Sequence, residues 1–296
     1  MARRLLDAGH EMVVHDLDAQ RVTMLVNDGA KSAESPAAAA QGSEIVLTML
    51  PANQHVEDAV LGTTGIINTI DPGAVFIDFS TISPTTFTKV AEQVEAKGAA
   101  AFDAAVGPGP EAAADGTLTI MVGGDADLIE RYRPILDVLG NRIVHCGSRG
   151  AGKAVKIANN LVTGITVVMD TEAMLLAAKA GADPRVLVEV MSGTLANNTI
   201  ATTAFPNRVF TRNFTPGFKL SLMRKDVALA NSLAEDLGTP LTLGTHTLAA
   251  LSEACDRGWG DDDVFRFVEL LEEVAGLQLP DHPAPPANTT APQKAV

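Results

Sequence analysis

The pattern of apolar and polar positions along this chain changes character near residue 150. Before that point, short apolar runs closed by polar or turn residues alternate with amphipathic stretches. The runs at 11–16, 44–51, 74–81, 100–106, 118–124 and 142–146 read as buried strands, with a brief edge at 30–32. The stretches at 1–9, 18–28, 35–41, 53–60, 85–97 and 127–138 read as helices. Buried strands alternating with helices predict a doubly wound, mostly parallel α/β sheet of Rossmann-like form. Such sheets receive ligands at the carboxyl ends of their strands, which here carry Asp16, Leu50-Pro51 and Ser80-Thr81. The run from Ala100 breaks into a stiff loop, Gly107-Pro108-Gly109.

Beyond Gly152 the strand signal ends. Helical spacing occupies 153–181, 184–192, 197–210, 219–236, 242–257 and 261–275, punctuated by Gly181, Gly193, Pro216, Gly238 and Gly258. The expected organisation is therefore an α/β domain over 1–150, an all-α domain over 151–276, and a Pro- and Ala-rich disordered tail over 277–296.

The chemistry-bearing stretch lies at the change of class. A glycine-rich turn, Gly147-Ser-Arg-Gly150-Ala-Gly152, leads into a long helix in which Lys156, Asn160, Thr163 and Gly164 share a face, with Asn159 beside it. Apolar residues nearly all round predict burial on several sides. The uncharged run between Lys156 and Asp170 is shorter than the ~20 residues a bilayer requires, so a membrane span is not expected. An ammonium and two amides in such a helix either meet polar groups in a site or, in the plainer reading, reach the surface and cap a neighbouring loop.

Composition narrows the function. With 46% hydrophobic and 20% charged residues the chain can build a real core. A net charge of −14 argues against nucleic-acid or anionic-membrane partners, so any basic site for an acidic substrate must be local. Cys146 and Cys255 are far apart, and the six histidines show no ligand spacing, so neither a disulfide framework nor a metal is expected. No signal peptide is visible in the opening residues, and a cytoplasmic protein is expected.

One expected part is missing. Asp16 closes an early strand as an acid that hydrogen-bonds an adenosine ribose does, yet the G-x-G-x-x-G turn that should stand about 20 residues earlier has no room before Met1. The expectation is that the natural protein begins upstream; the alternative is a genuine short form with a compromised cofactor site.

Taken together, the motifs Leu5-Leu-x-x-Gly9-His10, Met49-Leu-Pro51, Ile77-Asp-Phe-Ser-Thr-Ile-Ser-Pro84, Asp103-Ala-x-Val106, Gly116-Thr-Leu-Thr-Ile-Met-Val-Gly-Gly124, Gly150-x-Gly152-x-x-x-Lys156-x-x-Asn159-Asn160 and Phe214-x-Pro-x-Phe218 through Lys225-Asp226 resemble the β-hydroxyacid dehydrogenases. The resemblance runs from Met1 to about Gly276. It implies an NAD-dependent interconversion of a small anionic β-hydroxy acid and its semialdehyde or keto form, in a homodimer or homotetramer. By motif position Lys156 would be the acid/base, with Asn159 and Asn160 holding substrate and lysine. A lysine suits that task where a closed, dry cleft lowers its pKa. Cofactor contacts would fall to Asp16 at the adenosine ribose, Leu50 and Pro51 at the dinucleotide's flank, Ser80 and Thr81 near the nicotinamide ribose, and Phe218 and Lys225 at the mouth. Asp16 would repel a 2′-phosphate, which favours NAD over NADP.

The substrate loop departs from the family pattern, which reads Asp-Ala-Pro-Val-Ser-Gly-Gly. Here Gly107, Pro108 and Gly109 occupy it, and the serine hydroxyl is gone. A Val-Gly loop resembles the sulfolactaldehyde reductase branch, but that branch places an arginine where this chain has Pro108. The anion would then depend on Asn159, Thr163, Lys225 or backbone amides. The competing reading is a non-catalytic nucleotide-binding or scaffold member of the same fold.

Overall fold

A computed structural model describes residues 1–280. By backbone contact the chain divides into two units, one of residues 1–159 and one from Asn160 onward, the division falling inside a single long helix.

The first unit runs α1 (Ala2–Asp7), β1 (Val13–Val14), α2 (Ala19–Asn27), β2 (Lys31–Ser32), α3 (Pro36–Ala40), β3 (Ile45–Thr48), α4 (Asn53–Leu61), β4 (Val75–Asp78), α5 (Pro84–Glu95), β5 (Ala100–Gly107), α6 (Pro110–Asp115), β6 (Leu118–Gly123), α7 (Ala126–Arg131), α8 (Arg133–Leu139) and β7 (Gly140–Gly147). Several helix starts are written in the sequence. Ser35 and Ser83 accept from the amides of Ala38 and Thr86, and each is followed by a proline whose missing N–H costs nothing in a first turn.

Five strands form one sheet in the order β3-β4-β5-β6-β7, parallel except for the β5–β6 pair. The fold is Rossmann-like, as expected. β1 and β2 pair with each other in parallel, Val13 opposite Lys31, as a separate two-stranded sheet. The period-two alternation of strand side chains splits β4 between two cores. Phe76 joins Val46, Phe87 and Val90 on one face, and Val75 and Ile77 join Phe102, Ile120 and Leu136 on the other. Each such side chain, fully withdrawn from water, contributes about 1.5–3 kcal/mol. The register also sets Asp78 directly opposite Asp103 on β4 and β5, both fully buried.

Two expectations change in this unit. The stretch expected as one helix over 127–138 is two, because Pro134 lacks the N–H that would carry the helix through Tyr132. The Gly/Pro loop after β5 contains the short helix α6, which starts at Pro110.

Helix α9 (Ala151–Lys179) runs on into the second unit, followed by α10 (Pro184–Ser192), a π-helical segment at Ile200–Val209, α11 (Leu220–Leu237), α12 (Thr242–Ala254) and α13 (Phe267–Ala275). No strand occurs in this unit among the described residues; the only pairing is an isolated bridge between Lys219 and Asp263. The helices enclose Val167, Met223, Val227, Leu251 and Phe267 in one cluster and Met174, Phe205 and Val209 in another. Gly164 lets α9 and α11 approach closely: a β-carbon there would lie 2.8 Å from Val227 Cγ2.

The burial expected for α9 is only partly found. Val155, Val162, Met169 and Leu176, seven residues apart in succession, are exposed, because the protein covers the other faces and leaves this row uncovered. By length and composition this helix could cross a bilayer, yet Lys153, Asn160 and Asp170 within it are buried and bonded to protein groups. The tail expectation also changes at its start. Leu277 and Leu279 join the second helical cluster, and the Leu279 amide donates to Glu272 Oε1 at 2.8 Å. The remainder of that expected tail, 281–296, lies outside the described residues.

Candidate active site

The start of α9 is tied to two strands, β5 near its middle and β4 at its end. Asp103, near the middle of β5, accepts from the Gly150 amide through Oδ1 at 2.6 Å and from the Lys153 amide through Oδ2 at 2.9 Å. A carboxylate is favoured at free helix N–H groups, since unpaired donors and the helix dipole both present positive charge there. Burial nevertheless pushes the Asp103 acid above its usual range, with the nearby Lys153 ammonium opposing the rise. Burial likewise raises the Cys146 thiol, with Asp103 adding to it, so that cysteine is not an activated nucleophile.

Lys153 is the larger surprise. Its ammonium is fully buried and donates to the backbone oxygens of Asp78 and Ser80, each at 2.7 Å, while pairing with Asp78 Oδ2 at 2.8 Å. The other carboxylate oxygen of Asp78 accepts from Thr48 Oγ1 at 2.7 Å and Ser80 Oγ at 2.6 Å. Ser80 Oγ in turn accepts from the Leu50 amide at 2.8 Å. One network thus joins the ends of β3 and β4 to the first turn of α9. Sequence reasoning passed over Lys153. The available signal was a lysine on the apolar side of a predicted buried helix, three residues before Lys156.

One turn further on, Lys156 reaches back to β5. Its Nζ lies 3.4 Å from the position a β-carbon on Gly107 would take. Lys156 is half-buried, Gly107 likewise, and Pro108 and Gly109 are exposed. The lysine and the substrate loop expected to face it are therefore together within the first unit.

The expected cofactor residues of this unit follow the ends of β1, β3 and β4. Asp16 is exposed beyond β1, with Oδ1 accepting from the Asp18 amide at 2.8 Å and Arg21 Nη1 3.9 Å from Oδ2. Leu50 is half-buried, Pro51 exposed and Thr81 half-buried. Ser80 stands apart from its neighbour Thr81 in being fully buried. Its side chain is engaged with Asp78 and Leu50, so it braces the strand ends and presents no open hydroxyl. A cavity of about 790 Å³ opens between β1 and β3, walled by Val13, Val14, Asp16, Ile45, Leu47 and Leu50 among others. Lys156 and Gly107 lie outside that wall.

In the second unit Asp226, almost fully buried, holds two expected site residues. Oδ2 accepts from Asn160 Nδ2 at 2.6 Å, and Oδ1 pairs with Lys225 Nζ at 2.8 Å. Along the sequence Asp226 stands only as the second residue of the Lys225-Asp226 pair, with nothing there to mark its distant partners. Thr163 and Phe218 are half-buried, whereas Asn159 is exposed. The Phe218 and Gly217 amides both donate to Asp263 Oδ2. Among the described residues no group of three His, Cys, Asp or Glu side chains is placed to hold a metal ion.

Comparison with known proteins bears on this arrangement. Residues 1–147 match the family described as the NAD binding domain of 6-phosphogluconate dehydrogenase, and residues 150–271 match the NAD-binding domain of NADP-dependent 3-hydroxyisobutyrate dehydrogenase. The chain is 40% identical to 3-hydroxyisobutyrate dehydrogenase of Pseudomonas aeruginosa, over 86% of this chain and 89% of that one. The chain belongs to the β-hydroxyacid dehydrogenase family. It is also 35% identical to 3-sulfolactaldehyde reductase of Escherichia coli, over 94% of this chain and 93% of that one. Among solved structures, 3-hydroxyisobutyrate dehydrogenase of Mycobacterium tuberculosis with L-serine superposes with a TM-score of 0.85 at 31% identity, covering 91% of this chain and 94% of that one. This β-hydroxyacid dehydrogenase homologue is accordingly an NAD-binding oxidoreductase with a Rossmann-like domain followed by a helical one.

Proposed function

We propose that this protein interconverts a small anionic β-hydroxy acid and its semialdehyde or keto form, with NAD as cofactor and Lys156 as acid/base. The observation that carries the reading is Lys156 Nζ standing 3.4 Å from the side-chain position of Gly107, beside the loop expected to take substrate. In oxidation the neutral lysine accepts the hydroxyl proton from the carbinol, and in reduction its ammonium returns it. Without that acceptor, hydride loss would leave a protonated carbonyl, and a positioned base is worth roughly 10²–10⁴-fold. Bound NAD supplies the hydride acceptor.

Asn160, its amide held by Asp226, orients the substrate and the lysine. Asn159 and Thr163 supply further polar contacts to the substrate anion. Gly107, Pro108 and Gly109 give a loop with no hydroxyl and no arginine, so the anion is met by Asn159, Thr163, Lys225 or backbone amides. An identity of 35% to the sulfolactaldehyde reductase and 40% to the 3-hydroxyisobutyrate dehydrogenase does not single out the sulfonate branch. Substrates with a carboxylate are therefore the first to test.

For the cofactor, Asp16 and Leu50 border one cavity and fit the adenosine end of the dinucleotide. Pro51 flanks it, Thr81 serves the nicotinamide ribose, and Phe218 and Lys225 the mouth. The exposed Asp16 carboxylate disfavours a 2′-phosphate, which supports NAD over NADP. The reading includes a homodimer or homotetramer.

The test is reduction of NAD by the purified protein with 3-hydroxyisobutyrate, L-serine and a hydroxy-sulfonate, wild type against Lys156→Ala. Turnover of at least one acid, lowered roughly 10²–10⁴-fold in the variant, is the expected result. Full turnover by the variant would refute the role of Lys156. Tight NADH binding with no turnover of any acid would favour a non-catalytic nucleotide-binding protein instead.

A further inference from the structure

We propose that Lys153 is a positioning residue, whose buried ion pair with Asp78 sets where Lys156 stands against the substrate loop. The proposal rests on Lys156 being the acid/base.

A lysine at this place is not explained by packing. Its side chain is fully enclosed, with Nζ 5.6 Å from the centre of the Phe87 ring, a setting that methionine or leucine would fill without a buried charge. Burying an ammonium is costly unless it is paired and hydrogen-bonded, and here two backbone oxygens accept its hydrogen bonds while one carboxylate oxygen of Asp78 pairs with its charge. Those acceptors come from Asp78 and Ser80, the last turn of chain before Thr81. Lys153 is sealed from solvent and engaged by two backbone oxygens and the Asp78 carboxylate, so it does not itself exchange a proton with substrate.

The geometry points to what the charge achieves. The first turn of α9 is pinned twice, by Asp103 of β5 through the amides of Gly150 and Lys153, and by the Lys153 side chain to the end of β4. There is no slack around these anchors. A β-carbon on Gly152 would lie 2.3 Å from the Met121 carbonyl oxygen and 2.6 Å from Asp103 Oδ2, and one on Gly123 would lie 2.7 Å from Asp103 Oδ1. Lys156 follows three residues later on the same helix. With the first turn fixed, the Lys156 ammonium is fixed relative to both Gly107 at the end of β5 and Thr81 just past β4. A displacement of about 1 Å in a reacting group can cost on the order of 10²-fold in rate, which is what an ordinary apolar residue at position 153 would permit.

The experiment compares Lys153→Met, Lys153→Arg, Asp78→Asn and the double variant Lys153→Met/Asp78→Asn with wild type and Lys156→Ala. Melting temperature, NADH affinity, kcat, KM and the pH profile of kcat are read for each. The expected result for folded Lys153→Met is a fall in kcat of at least about tenfold, NADH affinity kept within about threefold, and a displaced Lys156 limb in the pH profile. The double variant should recover part of that kcat, because it removes the carboxylate left unpaired as well as the ammonium. A folded Lys153→Met with wild-type kcat and an unmoved pH limb would overturn the proposal and leave Lys153 a fold residue. If Lys153→Met does not fold, Lys153→Arg decides on the same two readouts: arginine keeps the charge but cannot reproduce the three-acceptor geometry. Full turnover by Lys156→Ala would sink the parent reading and this one with it. An inactive Lys156→Ala beside an unaltered Lys153→Met would sink this one alone.

Discussion

Lys156 Nζ and the vacant side-chain position of Gly107 are 3.4 Å apart, the distance of van der Waals contact. A glycine on β5 is thus what gives the lysine open space in front of it. The backbone of Gly107 is not in the left-handed region, so other residues are conformationally admissible there. What a side chain would change is the room at the ammonium.

Gly107→Val should therefore act on catalysis more than on stability. Its methyl groups would crowd Lys156 and the space before it, and kcat/KM should fall about a hundredfold with little change in melting temperature. Gly107→Ser should retain far more activity, since a small hydroxyl can hydrogen-bond the lysine or the substrate. Steady-state kinetics on the two variants check this; equal losses in both would show that side-chain size at this position does not set the activity.

Asp16 should govern the choice of dinucleotide. Its carboxylate is exposed beyond β1, with Arg21 at 3.9 Å and paired more closely with Asp18 at 3.3 Å. Asp16→Asn should narrow the preference for NADH over NADPH by about tenfold, equivalent to ~1.4 kcal/mol. Fluorescence titration of both cofactors measures it, and an unchanged ratio would remove Asp16 from the site.

Gly164 should be intolerant for reasons of packing alone. A methyl group there meets Val227 Cγ2 at 2.8 Å and Met223 Sδ at 3.3 Å between two packed helices. Gly164→Ala should gain a little intrinsic helix propensity yet lose about 1–3 kcal/mol through overpacking. Urea denaturation would decide the sign.

Asp170 gives a pH dependence of stability. It is buried in α9, Oδ1 accepts from Asn198 Nδ2 at 3.2 Å, and burial raises its pKa above the usual carboxylate range. The folded state then holds this proton to higher pH than the unfolded chain does. The stability it contributes is fully present below the unfolded value, near pH ~4, and is lost as pH rises through the raised folded value. Asp170→Asn cannot titrate, so its stability relative to wild type should increase as pH rises from about 4 toward neutrality. Denaturation curves across that range test it; a flat or opposite trend would show that folding does not raise the Asp170 pKa.

Much of the fold was legible along the chain. The apolar runs closing at Asp16, Leu50-Pro51 and Ser80-Thr81 marked parallel strands, and the stretches at 35–41 and 85–97 marked helices, because hydrophobic period is a local property. The turn Gly150-x-Gly152 before Lys156 and the paired amides after it likewise stood out as a candidate site. Asp226 and Lys153 did not. Their significance depends on partners 66 and 75 residues away, which no spacing rule connects.

The sequence by itself determined most of the strands and helices and where the chain changes from α/β to all-α, and it singled out Lys156 as the lysine to test. Only the tertiary structure decided that Ser80 is a brace and not an open hydroxyl, that Lys156 faces Gly107, and that a buried Lys153–Asp78 pair anchors the helix between them. The reason is physical. Secondary structure follows from neighbours within a few residues, but the burial that makes a charge costly, and the acceptors that offset that cost, come together only when distant strands close around it.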